Sequence, residues 1–280
     1  MSQFSSEGFD LDAMGNGDSG DDVVYEIGGG VTVDTKQDEE VPPAINGVEK
    51  AEQWKQQGNE HFKKGSYLEA YDLYTEAIEA CPGDLKGEEI LRQRDEFNEA
   101  EREKAFSRRR VEEETQRKDK IEEKEPEKQK PLEQFKLPPQ PFGEKLAVYY
   151  CNRAAALIHL DRPEDAIKDC DVSALLNPGY TKAYVRRSAA HEKTDNTEEA
   201  LRDAKTALEL EPSNVTLRKS VARLQKIEDE RLEKLKAETM DKLKDLGNSI
   251  LGNFGLSLDN FQAVQDPKTG SYSISFNQNK

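Results

Sequence analysis

The chain has 280 residues, 35% of them charged and only 34% hydrophobic, and a formal net charge of −16. That composition excludes a single core running the whole length and predicts a modest folded domain between long solvated segments. The acidic balance argues against nucleic-acid partners and anionic membrane surfaces, and no apolar run reaches the roughly 18 residues that cross a bilayer.

Residues 1–48, which open "MSQFSSEGFDLDAMGNGDSGDD", are rich in glycine, serine and aspartate. They lack the basic start and apolar stretch of a secretory leader, so an acidic, disordered segment of a cytoplasmic protein is expected. "GGGV" from Gly28 lies in this tract with no helix after it, so it is not read as a phosphate loop. Cys81, Cys151 and Cys170 are odd in number and form no CxxC pair, which suits three reduced thiols. The closing "SISFNQNK" matches no retention, peroxisomal or prenylation signal.

Three segments share one phase. With Ala51, Ala147 and Thr181 each taken as position 1, position 4 holds Trp54, Tyr150 and Tyr184. Position 8 holds Gly58, Ala154 and Ser188; position 20 holds Ala70, Ala166 and Ala200; position 27 holds Ala77, Ser173 and Ala207. Position 24 holds Tyr74, Cys170 and Ala204, and position 32 is Pro82, Pro178 and Pro212. Small residues at these offsets let two antiparallel helices cross closely. The proline, with no amide hydrogen and a restricted preceding residue, ends the second helix. Close packing also offsets the roughly 1 kcal/mol that Gly58 costs a helix relative to alanine. "KKGSY", "HLDRPEDA" and "KTDNTEEA" read as the turns within the hairpins. Pro163 suits a first helical turn, and Asn196 with Glu199 suits a capping box. The repeats are thus expected at 49–84, 147–180 and 181–213.

Residues 85–146 are an insertion between the first two repeats. Its first part is charged almost all round and reads either as a solvated helix propped by ion pairs or as partly disordered chain. Its second part, "EPEKQKPLEQFKLPPQPFGEK", reads as an extended linker. "SRRR" at Ser107–Arg110 reads as a solvated helix face in preference to a nuclear signal. The insertion is expected to loop out from the repeats, so that deleting 88–140 leaves stability nearly unchanged. After the third repeat, apolar residues at helical spacing, from Val215 and Leu217 to Leu243 and Leu246, predict a helix that caps the stack over 214–247. It should stop at Gly247 or Asn248. The tail 248–280 changes to a period of two: Phe261, Ala263 and Gln265 face Tyr272, Ile274 and Phe276 across "DPKTG", which predicts a β-hairpin. A lone hairpin is marginal in water, so it is expected to dock on something.

Lys55 and Asn59 lie four apart on one helix face, as do Lys182 and Arg186, with Arg187 following. Two like charges at that spacing repel, which makes sense if an anion sits between them. Asn152 falls at position 6 of the second repeat, a poor mid-helix residue with no capping role there. Singly, each such lysine or arginine reads as a solvated charge.

The recurring alanines, aromatics and prolines resemble the tetratricopeptide repeat family, and the five polar residues resemble the carboxylate clamp of its co-chaperone members. That clamp has lysine and asparagine at positions 5 and 9 of the first repeat, asparagine at 6 of the second, and lysine and arginine at 2 and 6 of the third. Lys55, Asn59, Asn152, Lys182 and Arg186 occupy those positions. The resemblance implies an all-α superhelix of three hairpins whose first helices line a groove for the Glu-Glu-Val-Asp tails of the Hsp70 and Hsp90 chaperones. His61 beside Phe62, and Ser173 in place of alanine, depart from the family pattern without volume enough to break it.

No catalytic constellation appears. His61, His159 and His191 stand singly, outside any metal-ligand spacing with cysteine. The sequence therefore predicts a monomeric, non-enzymatic adaptor without cofactor or metal, taking chaperone tails as its partner. The rival is a repeat scaffold for a signalling or other client, bound through the C-terminal helix or hairpin. A passive spacer is the weakest reading.

Overall fold

The computed structural model describes residues 43–118, 134–253, 256–265 and 271–276. The expectations for residues 1–42, for the middle of the insertion and for the hairpin turn at 266–270 lie outside these. Among the described residues eight α-helices and two strands follow in order: α1 Pro43–Lys63, α2 Tyr67–Ala80, α3 Gly87–Lys118, α4 Gly143–His159, α5 Pro163–Leu176, α6 Thr181–Lys193, α7 Thr197–Leu210, α8 Val215–Gly252, β1 Phe261–Gln265 and β2 Tyr272–Phe276. The chain divides into two compact units, the first ending at Val221 and the second starting at Ala222.

In the first unit, α1 packs on α2, α4 on α5 and α6 on α7, and the pairs stack through α2 against α4 and α5 against α6. The small positions make this possible. Gly58, Ala70, Ala77, Ala154, Ala166, Ser173, Ser188, Ala200 and Ala207 are all buried. A Cβ on Gly58 would lie 2.7 Å from the ring of Tyr74, so only a glycine admits that fully buried tyrosine as placed. The departure at Ser173 is harmless because its hydroxyl donates to the Ala147 carbonyl (2.7 Å); Ser188 does the same toward Ala200 (2.8 Å). α2, α5 and α7 each end two residues before their proline, and Pro163 opens α5. Each interhelix turn carries one residue with positive φ, at position 15 of its repeat: Gly65, Asp161 and Asp195. Aspartate tolerates this conformation better than most side chains do. Asn196 is the N-cap of α7 but makes no side-chain cap bond, so the expected capping box does not form; Glu199 pairs with Arg202 instead.

The start of the first helix and the insertion differ from expectation. α1 begins at Pro43, inside the segment expected to be disordered, because proline's fixed φ suits a first helical position and Gly47 comes close to the Ala80 carbonyl. The insertion does not merely loop out. Its first half is the helix α3, whose N-terminal turns join the core: Ile90 is fully buried among Ala77, Ile78, Leu146, Tyr150 and Val172. The Gly87 amide donates to the Tyr150 hydroxyl (2.8 Å), and Lys86 Nζ donates to the carbonyls of Ile78 and Cys81 at the end of α2. The returning linker adds Leu137 to the same core, and Phe135 meets Phe97 of α3.

Helix α8 is capped by Asn214, whose Oδ1 accepts the amides of Thr216 and Leu217. Leu217 packs with Val185 and Ala207 of the third hairpin. α8 runs five residues past Gly247, to Gly252. Gly247 is a contact point, not a stop: Leu258 folds back to within 2.6 Å of where its Cβ would be, and the Leu258 amide donates to Asn248 Oδ1 (2.7 Å). In the second unit β1 and β2 pair antiparallel, Phe261 with Phe276, Ala263 with Ile274 and Gln265 with Tyr272, which sets the two alternating series opposite one another. Ile274 is 73% exposed, so this side chain does not dock as the hairpin was expected to.

Candidate functional site

Helices α1, α4 and α6, the first of each hairpin, bring polar side chains together. Lys55 and Asn59 ride on α1, Asn152 on α4, and Lys182 and Arg186 on α6. Arg186 Nη1 donates to Asn152 Oδ1 (2.9 Å), and Asn152 Nδ2 lies 3.4 Å from Asn59 Oδ1. Asn59 Oδ1 also accepts from the Tyr74 hydroxyl at 2.8 Å. One chain of hydrogen bonds thus runs from α2 through α1 and α4 to α6. Burial pushes the Tyr74 hydroxyl well above its ordinary range, which keeps it protonated and donating.

Lys55 is joined to this group indirectly. It is buried and ion-paired with Glu52, one turn earlier. The other Glu52 oxygen accepts from the Tyr149 hydroxyl of α4 (3.1 Å), so a carboxylate from within the protein occupies the side of Lys55 toward the second repeat. Lys182 is half-buried. Burial pushes the Cys151 thiol up, and the charges of Arg186 and Lys182 draw it part of the way back. Arg186 Nη1 also touches Cys151 Sγ at 3.1 Å. The structure therefore joins Asn59, Asn152 and Arg186 directly, carries Lys182 one turn before Arg186 on α6, and holds Lys55 on Glu52.

Arg187, next to the predicted set, does other work. It forms a bidentate pair with Asp203 (2.8 and 2.7 Å) and reaches Asp171 at 2.7 Å. Arg153 pairs with Asp169 in the same way, both bonds 2.8 Å. These are positions 7 and 23 of the second and third repeats, so each arginine ties the two helices of its own hairpin. Asp171 also accepts from Arg94 of α3 at 2.6 Å. Sequence reading missed Glu52, Tyr74 and Tyr149 as partners of the site. The shared phase of arginine at 7 and aspartate at 23 was the signal that could have assigned Arg187. Among the described residues no group of histidine, cysteine or acidic side chains could hold a metal ion, and no helix is long and apolar enough to cross a membrane.

Residues 181–214 match the tetratricopeptide repeat family. The DnaJ homolog subfamily C member 7 homolog of Schizosaccharomyces pombe is 29% identical over 178 residues, 64% of this chain and 25% of that protein. The human mitochondrial import receptor subunit TOM70 is 29% identical over 167 residues, 60% of this chain and 18% of that protein. The chain thus spans a quarter or less of the length of these relatives. Among solved structures, the first repeat domain of Spaghetti (RPAP3), bound to the HSP90 peptide SRMEEVD, shares 26% identity at a TM-score of 0.40, over 64% of this chain and 94% of that one.

Proposed function

We propose that this chain, which carries a tetratricopeptide repeat at residues 181–214, is an adaptor of the co-chaperone kind that binds the free C-terminal carboxylate of an Hsp70 or Hsp90 tail. The observation that carries the reading is the bonded series Asn59, Asn152 and Arg186 on the first helices of three hairpins, flanked by Lys55 and Lys182. A terminal aspartate has two carboxylates close together, which suits ammonium and guanidinium donors interleaved with neutral amides. The likeness to a DnaJ-type protein supports a place beside the chaperones. The segment from Lys242 to Phe276 resembles the C-terminus of tetratricopeptide repeat protein 1, so an acidic N-terminal segment, three repeats and an accessory tail in a cytoplasmic protein belong to the same reading. The reading assigns no enzymatic step and no cofactor.

The test is calorimetric titration with a peptide ending Glu-Glu-Val-Asp, as free acid and as C-terminal amide. Lys182→Ala is the clean variant, because Lys182 is half-buried. Arg186 is buried against Asn152 and Cys151, so its removal also strands buried groups. Loss of one charged hydrogen bond, about 1.5–3 kcal/mol, weakens binding ten- to a hundred-fold. Equal binding of amide and acid would sink the reading. That result would favour the rival, a scaffold for another client.

A further inference from the structure

The apolar side chains of α8 do not end where its burial ends. Leu217 and Leu224 are buried, but Leu232, Leu235, Met240, Leu243, Leu246 and Ile250 are all about half exposed, Leu235 at 53% and Leu246 at 59%. Leu232 and Leu243, Leu235 and Leu246, and Thr239 and Ile250 are each eleven residues apart. Eleven residues make three turns at about 3.67 per turn, so the stripe stays on one side of a nearly straight helix. Its flanks carry Glu233, Lys236 and Lys244 on one edge and Glu238 and Lys242 on the other.

We propose that residues 232–246 of α8 pair antiparallel with the same segment of a second copy. One register matches residues 232–246 to themselves: Leu232 against the partner's Leu246, Leu235 against the partner's Leu243, and Thr239 on the two-fold axis. In that register Glu233 falls beside the partner's Lys244 and Glu238 beside the partner's Lys242, so each edge carries an opposite-charge pair. The segment holds acidic and basic residues in near balance, within a chain whose net charge of −16 opposes self-association elsewhere. Self-pairing covers the leucines without asking for an unknown ligand, and it replaces the monomer expected from sequence. It does not depend on the tail-binding reading, since it uses none of those residues.

Sedimentation equilibrium of the full chain, from about 5 to 200 µM, should show a monomer–dimer equilibrium that Leu235→Lys abolishes. The residue is exposed, so far-ultraviolet circular dichroism should be unchanged. Glu233→Lys alone should weaken the dimer several-fold, and adding Lys244→Glu should restore it. Under mild oxidation Leu235→Cys mixed with Leu243→Cys should cross-link, while Leu235→Cys alone should not; Cys81, Cys151 and Cys170 are buried and stay silent. A monomer at every concentration overturns the proposal, whether or not α8 then binds vesicles or another protein. So does a dimer indifferent to Leu235→Lys, or self-cross-linking of Leu235→Cys, which would mean a parallel pair.

Discussion

Ile90→Ala is expected to be among the most damaging single changes in the repeat unit, although Ile90 belongs to the insertion. Its side chain is fully buried among residues of α2, α4 and α5. Isoleucine to alanine in a core costs about 2–5 kcal/mol, depending on how far the site collapses. Collapse is restrained here. The Gly87–Tyr150 bond of 2.8 Å and the two bonds from Lys86 hold the start of α3 against α2 and α4. The loss should therefore reach about 3–4 kcal/mol. With a urea dependence near 2 kcal/mol/M, the midpoint should fall by about 1.5–2 M. Phe106→Ala on the same helix is the control: Phe106 is 63% exposed, and its loss should shift stability by no more than about 0.5 kcal/mol. An Ile90→Ala midpoint within about 0.3 M of the parent would show that α3 is not part of the core. On the same reasoning, deleting 88–140 should destabilise the unit strongly, the opposite of what the charged composition suggests.

Other perturbations have definite outcomes. Gly58→Ala should lower the urea midpoint, because overpacking against the Tyr74 ring costs about 1–3 kcal/mol and exceeds the roughly 1 kcal/mol gained in helix propensity. Tyr74→Phe removes the donor that fixes Asn59, so calorimetry should report a several-fold loss of tail-peptide affinity with a stability change of about 1 kcal/mol or less. Burial lowers the pKa of His191, so the folded protein binds fewer protons than the unfolded chain as pH falls through about 6.5. Stability should then drop on acidification until the lower folded pKa is passed. Urea midpoints taken at about pH 7.5 and 5.5 should differ less in His191→Gln than in the parent.

The hairpins were legible because each repeat states the same constraint. A glycine, alanine or serine at a fixed offset is visible in a single chain once three copies are aligned, and so is the proline that follows each second helix. The two strands were legible for a similar reason, the period-two placement of Phe261, Ala263 and Gln265 and of Tyr272, Ile274 and Phe276; which residue pairs with which was not. The docking of α3 was not. Ile90 and Leu91 are two apolar residues in a long charged run, too few to show a period, and their partners lie on helices far along the chain. The five polar residues could be picked out by phase, but not their local partners. Nothing in the spacing says that Glu52 takes Lys55 or that Tyr74 holds Asn59. Those pairings depend on helix crossings that appear only once the hairpins stack.

Asp171 accepts from Arg94 and Arg187 at once, and so it closes a long stretch of chain on one carboxylate. Arg94 lies 77 residues before it, Arg187 only 16 after. Local hairpins form before distant closures, since the entropy of closing the chain must be met first. The α5–α6 junction can therefore assemble without α3, but α3 finds its carboxylate only after α5 is in place. Amide protection should follow that order, with the first turns of α3 never outlasting α5. The start of the insertion is thus a late-folding part of the stack, although in sequence it comes before two of the three hairpins.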